Sequence, residues 1–451
     1  MGGWLLAVIL LAPVITQPVI GIGLVGGVVV IWLASKSIAY PLALAGIPTL
    51  VTAIVGTDPL PKGGATILTA GWVGLAVVLL LFRHREGTAI QGLLSLPFAM
   101  ALLILALMVL RLNGSPAAAY GMSKTELYVA DNIAFLIGAV FVASSRSTLR
   151  LFLIVTMAVV LAGSLLLIFQ LVSGAAQQQY TGSGRFTTSA QEGSINLGRQ
   201  SSNGALIAIG LILITRKTWL RLTCLVAIPI MLLSLLAAGS RGPTVAFVIG
   251  LLVLVTLSAV TGRARRQLLL VGAGIIGAAI VIPLLVPSSS IGRSLSTILG
   301  SSSGLSSNGR SALWATAFAA FKSHVWFGIG TGGFSSLSVE PYPHNVFLEM
   351  GAELGIFAVL AVATMIGSMF SRLRTLWQST SGTERLEITL LLGLFVSAFV
   401  NALLSGQISD NSDLWLWGGL GLGIYSRHRV GARTTWLGLV RSPRLGYRGT
   451  A

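Results

Sequence analysis

Four residues at the head of one apolar segment have the types and spacing for chemistry: His344, Asn345, Glu349 and Glu353, in "PYPHNVFLEMGAELGIF". Asn345, Glu349 and Glu353 recur every four residues, so on a helix they share one face. The pattern predicts a helix from 346 onward, with His344 at its first turn and Pro343 just before it, as suits a helix start. An imidazole titrates near neutral pH, which fits His344 to take a proton as a general base. Glu349 or Glu353 would then orient that imidazole or an arginine. Charge at the mouth of a membrane segment is costly unless it faces protein or a water-filled cavity, so these residues are functional candidates by default.

Arginines supply the other half of the chemistry. Arg241 stands in "AAGSRGP" and Arg310 in "SSNGRSALW", while Arg185 and Arg199 stand in "SGRFTTSAQEGSINLGRQ". A planar guanidinium can bind two phosphate oxygens at once. Arg241 and Arg310 are the expected ligands of an anionic, phosphate-bearing group. Arg185, Arg199 and Asn345 are weaker candidates, because an arginine in a Ser/Gly/Gln-rich stretch is usually solvated. His84 and His428 fall in segments predicted to be cytoplasmic, and His324 falls at the end of a surface helix. No Asp-x-Asp, HExxH, P-loop or dinucleotide fingerprint is placed for chemistry, so no metal ligand and no cofactor is assigned. The single cysteine, Cys224, lies in an apolar run, which excludes an intramolecular disulfide.

The elements that must hold these residues are membrane helices. Only 9% of the 451 residues are charged and 54% are hydrophobic, with a mean hydropathy of +0.89. A soluble domain would carry about a quarter charged residues. Apolar runs predict an all-α polytopic bundle with spans at 4–16, 18–34, 37–56, 64–82, 89–110, 126–145, 150–173, 201–215, 218–238, 242–261, 267–286, 346–370, 387–404 and 412–426. The first two, divided by Gln17–Pro18, could be one kinked helix, so the count is about 12–14 at roughly 20 residues per crossing. The short alternating segments of a β-barrel are absent. The chain reads as a single integral-membrane domain over 1–451, with "MGGWLLAVILLAPV" a retained first segment, since it lacks a basic n-region.

Net charge is +17. In a membrane protein this belongs to short loops that fix orientation, not to a nucleic-acid partner. Basic clusters at 83–85, 146–150, 216–221, 263–266 and 372–385 and in the tail 427–451 fall on alternate sides of successive spans, so all can be cytoplasmic together. The extracytoplasmic side then receives 57–63, 111–125, 174–200, 239–242, 287–345 and 405–411. Within 287–345, apolar residues at 313, 314, 317, 318 and 321 predict an amphipathic helix on or near the outer leaflet. Arginines on that side run against the orientation bias.

"PHNVFLEMGAELGIF" resembles the signature of the O-antigen ligase and O-antigen polymerase superfamily, a His followed by Asn, Ser or Gln, then nine residues and a Gly; here His344, Asn345 and Gly355. "SRGP" at Arg241 is similar to the family's arginine motif, and "GRSALWATAFAAFKSHVWFGIGTGGF" resembles the loop leading into the histidine. The resemblance covers roughly 120–425 and is sharpest over 239–358. Ala358 and Val245 stand where the ligase pattern has other residues. The resemblance implies a GT-C-like fold and an undecaprenyl-diphosphate-linked glycan donor. It further implies a glycan or lipid-glycan acceptor, surrounding membrane lipids, and a metal-independent inverting transfer on the extracytoplasmic face of the cytoplasmic membrane. A polymerase of the same superfamily is the alternative. From another class, a secondary transporter or flippase would place its ionisable residues nearer the midplane.

Overall fold

The computed structural model describes residues 32–33, 36–44, 87–178, 185–188, 193–260, 272 and 310–441. The spans expected at 4–16 and 64–82, most of those at 18–34, 37–56 and 267–286, and the loop up to 309 lie outside the described residues, as do the clusters at 83–85 and 263–266. The described elements are helices α1 Ala39–Ala43, α2 Gly87–Leu93, α3 Leu96–Leu110, α4 Ala118–Val142, α5 Arg146–Val172, α6 Ser194–Ile214, α7 Thr218–Ala237, α8 Arg241–Ala259, α9 Arg310–Ser323, α10 Val346–Leu354, α11 Ile356–Ser379, α12 Gly382–Leu404 and α13 Ser412–Arg441. A two-residue antiparallel ladder joins Gln177–Gln178 to Phe186–Thr187. The protein is an all-α polytopic membrane protein: among the described residues, α4 to α8, α11 and α12 are seven helices long and apolar enough to cross a bilayer.

Several boundaries depart from the expected ones, each for a local reason. The span expected at 346–370 is two helices, α10 and α11. Gly355 breaks them at φ +80°, ψ −166°, a conformation open essentially to glycine alone. The span expected at 89–110 is also divided, at Leu94–Ser95, with Pro97 in the first turn of α3. Helix α4 begins at Ala118, within the segment expected to be the loop 111–125, and contains a π turn at Tyr128–Ile133. Helix α6 begins at Ser194, so Arg199 sits on a buried helix instead of a solvated loop. Helix α13 runs on to Arg441, into the expected tail.

The surface helix exists as α9, and its contact face is the expected one except at Phe318. Ala317 and Ala320 are buried with Phe334 and Ala352, so α9 packs on α10, while Phe318 is exposed beneath the Lys322 ammonium. Small residues on this side let the helices approach closely, while the Phe321 ring packs at Gly351 and the Trp314 indole reaches Pro343.

The bundle has two chemically distinct ends. At one, Arg146 and Arg150 pair with Glu387, and Arg427 and His428 pair with Glu384. This gathers three loops that were all expected on the cytoplasmic side. At the other end, segments 111–124, 325–353 and 405–411 meet. The division predicts labelling. In a Cys224→Ser background, a cysteine replacing exposed Ser336 should react with a membrane-impermeant thiol reagent on intact cells or spheroplasts. One replacing exposed Ser381 should react only after permeabilisation. The reverse pattern would invert the orientation.

Candidate functional site

His344 lies just before α10, one residue ahead of the N-cap, and not in its first turn. Asn345 is the cap: its Oδ1 accepts the Phe347 and Leu348 amides at 3.0 and 3.1 Å, and its Nδ2 donates to Leu403 O at 3.2 Å. The role of Asn345 in this structure is therefore to start the helix and tie it to the end of α12. Trp314 Nε1 on α9 donates to Pro343 O at 2.9 Å, which fixes the approach to the histidine. Between these anchors, His344 takes φ +58°, the one non-glycine residue among those described in the left-handed region. Such backbone costs on the order of 1–3 kcal/mol and persists where its surroundings over-determine it, commonly at functional sites.

The imidazole is mostly buried. Its Nδ1 accepts the Gly406 amide at 3.2 Å, and Tyr342 packs edge-on against it with ring centroids 4.7 Å apart. With Nδ1 accepting an N–H, the neutral ring carries its proton on Nε2. Burial first, and then the positive charges of Arg310, Arg199 and Arg185, push the His344 pKa down to about 4. Arg310 is itself held below its ordinary value by burial and by the neighbouring Arg185 and Arg241. So the structure brings together, at one end of the bundle, the histidine and the four arginines singled out in the sequence. Arg310 opens α9, Arg241 opens α8, and Arg185 adjoins the short strand at Phe186.

Arg199 differs from the others in what it holds. It is buried on α6, and its Nη1 and Nη2 donate to Asp410 O at 2.6 Å and Ser405 O at 2.7 Å. Both nitrogens of its fork grip the Ser405–Asn411 loop, which leaves it a loop anchor and a source of positive field.

Glu349 and Glu353 share a face of α10, as the spacing required, yet their partner is neither His344 nor an arginine. Lys124 Nζ lies 2.5 Å from Glu349 Oε1 and 2.7 Å from Glu353 Oε2, all three side chains being fully buried or nearly so. Backbone amides also reach the two carboxylates, while Glu353 Oε1 is buried without a hydrogen-bond partner among the described residues. The Ile408 amide donates to Glu349 Oε2 at 2.9 Å, and the Gly332 amide to Glu353 Oε2 at 2.8 Å. Sequence reasoning missed Lys124. The signal available was a lone lysine beside an apolar run on the side with few basic residues. This knot predicts a stability effect: Lys124→Met, which leaves two buried carboxylates without their cation, should cost about 3–5 kcal/mol. Adding Glu349→Gln and Glu353→Gln should recover much of the loss in thermal unfolding of the purified protein in micelles. An unshifted midpoint for Lys124→Met would count against the ion pairs as an anchor.

Compared with known families, residues 226–363 match the O-antigen ligase family. The match includes Arg241, Arg310, His344, Glu349 and Glu353 and leaves out Lys124, Arg185, Arg199 and the Ser405–Asn411 loop. No curated protein matches the chain.

Proposed function

Taking the chain as a multi-pass membrane member of the O-antigen ligase superfamily, we propose that it moves a glycan from an undecaprenyl-diphosphate carrier to an acceptor hydroxyl, at the extracytoplasmic face of the cytoplasmic membrane. The observation that carries this reading is the shared positive field. Burial lowers both groups first; beyond it, Arg310 is depressed by Arg185 and Arg241, and His344 by Arg310, Arg199 and Arg185. Groups that disfavour one another's charge in this way favour an anion among them. A lipid-linked diphosphate is an anion that must sit at the end of a membrane bundle, its tail among the helices and its headgroup outside.

In this reading Arg241 and Arg310 hold the diphosphate, with Arg185 adding charge. The acceptor oxygen attacks the anomeric carbon, the bond from that carbon to the phosphate oxygen breaks, and configuration inverts. Negative charge grows on the leaving diphosphate, and guanidiniums already in place stabilise it without reorganising. His344 meets the same centre. Glu349 and Glu353 serve it indirectly, by fixing α10 and the loops around it.

The test is transfer by purified protein in vesicles, given a lipid-diphosphate-linked glycan and an acceptor. Arg241→Lys and Arg310→Lys keep the charge and lose the fork. Each should lose roughly 10- to 100-fold in kcat/KM, the worth of a charged hydrogen bond of about 1.5–3 kcal/mol. Near-normal transfer by either, at equal amounts of folded protein, removes that arginine from the site. Movement of donor across the bilayer with no bond formed would instead fit a flippase.

A further inference from the structure

The bond from Gly406 to Nδ1 limits what His344 can do. To take a proton from a hydroxyl, the ring needs a free lone pair. Nε2 carries the proton in this tautomer, and Nδ1 is occupied at 3.2 Å. Base catalysis therefore needs Gly406 to withdraw or the ring to turn over.

Neither has much freedom. Arg199 holds the loop carbonyls of Ser405 and Asp410. Glu349 holds the Ile408 amide at 2.9 Å, and Asn132 Nδ2 donates to Ile408 O at 2.8 Å. Tyr120 Oη donates to Gln407 Oε1 at 2.8 Å, and Asn411 Nδ2 closes the loop on Gln407 O at 2.7 Å. Gly406 itself sits at φ +74°, and a Cβ there would stand 2.6 Å from Arg199 Nη2, so this backbone position is tightly seated. Tyr342 also packs against the ring, centroids 4.7 Å apart. The charged groups that act on the imidazole, Arg310, Arg199 and Arg185, are all donors. A ring showing Nε2–H among guanidiniums extends a set of donors, and a set of donors suits an anion.

We propose that His344 serves glycan transfer as an Nε2–H hydrogen-bond donor to the departing diphosphate, and that the acceptor hydroxyl's proton goes to the diphosphate itself. This rests on the reading of the arginine cluster as a diphosphate site. The balance closes without a protein base. The acceptor oxygen bonds to the anomeric carbon, and the electron pair of the broken carbon–oxygen bond stays on the phosphate oxygen. The hydroxyl proton leaves on the diphosphate, and His344 keeps its own proton throughout. The depressed imidazole pKa agrees, because a group titrating near 4 is a weak proton acceptor at neutral pH.

The tautomer can be read directly. The chain has only 4 histidines. With both ring nitrogens labelled with nitrogen-15, the His344 signals are those that vanish in His344→Gln. At neutral pH the wild-type protein should show a protonated Nε2 and an unprotonated Nδ1; a protonated Nδ1 overturns the proposal. Transfer kinetics give the second arm. His344→Gln keeps an amide donor and has no basic nitrogen, so it should stay within roughly tenfold of wild type, the worth of one neutral hydrogen bond. His344→Ala, which loses the donor, should fall by about 100-fold or more. A folded His344→Gln protein as inactive as His344→Ala overturns the donor role, as does an acid limb near pH 4 in wild-type kcat/KM that is absent in that variant. The tautomer measurement needs no turnover. A protein with the expected tautomer that transfers no glycan would thus overturn the assigned activity and leave the ring geometry standing.

Discussion

One backbone amide, that of Gly406, governs the chemistry open to His344, and three helices govern where that amide sits. Arg199 from α6, Glu349 from α10, and Tyr120 and Asn132 from α4 all end on the Ser405–Asn411 loop. The reason for so many side-chain bonds is general. A loop buried at the end of a membrane bundle has backbone N–H and C=O groups that water cannot reach, and each left unmade costs roughly 1–3 kcal/mol. Helices satisfy their own backbone; this loop cannot, so its neighbours must. The residues that satisfy it are polar and buried, and the loop becomes rigid as a consequence of being satisfied.

Charge is segregated around that loop. On one side, Arg185, Arg241 and Arg310 raise a positive potential, and burial together with Arg310, Arg199 and Arg185 keeps the imidazole neutral. On the other, Lys124 lies between two carboxylates, a cluster that closes on itself and on backbone amides. The two clusters share α10 and the loop and serve opposite ends. In the proposed reading the first receives an anion, and the second is spent on structure. A buried pair of this kind adds little net stability over a well-packed apolar core, but it fixes register, because a wrong pairing strands a buried charge. Register is what α10 needs, since a slip there would carry His344 out of the arginine field.

The sequence made some of this legible. Charges in an apolar chain are few, so their positions are informative. Arginines against the orientation bias and carboxylates four residues apart both pointed at one end of the bundle, where the structure gathers them. Lys124 was lost because "GMSKTEL" reads as loop by composition, whereas tertiary contacts carry α4 through it. Arg199 was placed in solvent for the same reason. The Ser405–Asn411 loop left the least trace. Its working groups are main-chain amides and carbonyls, which are the same for every residue type, and only Gly406 hinted at special backbone. The break at Gly355 was visible as a glycine, yet glycine is common in membrane helices, so its left-handed role could not be told apart from packing.

The strain at His344 can be understood from the same constraints. A left-handed histidine is unfavourable by itself, and the Asn345 cap, the Trp314 bond to Pro343 O and the Gly406 bond each oppose its relaxation. Relaxing φ would break the first turn of α10 on one side or the loop contact on the other. Together these losses offset the gain, since a cap contributes about 1 kcal/mol and a buried amide left without a partner costs about 1–3 kcal/mol. The imidazole is therefore oriented before any substrate arrives. Orientation in advance is also what electrostatic stabilisation of a leaving group requires, because donors that must turn at the moment of bond breaking give back much of what they contribute. Under the proposed transfer, the ring, the loop and the guanidiniums at the end of the bundle would serve that purpose together, and the strained residue is the point at which helix and loop are forced to agree.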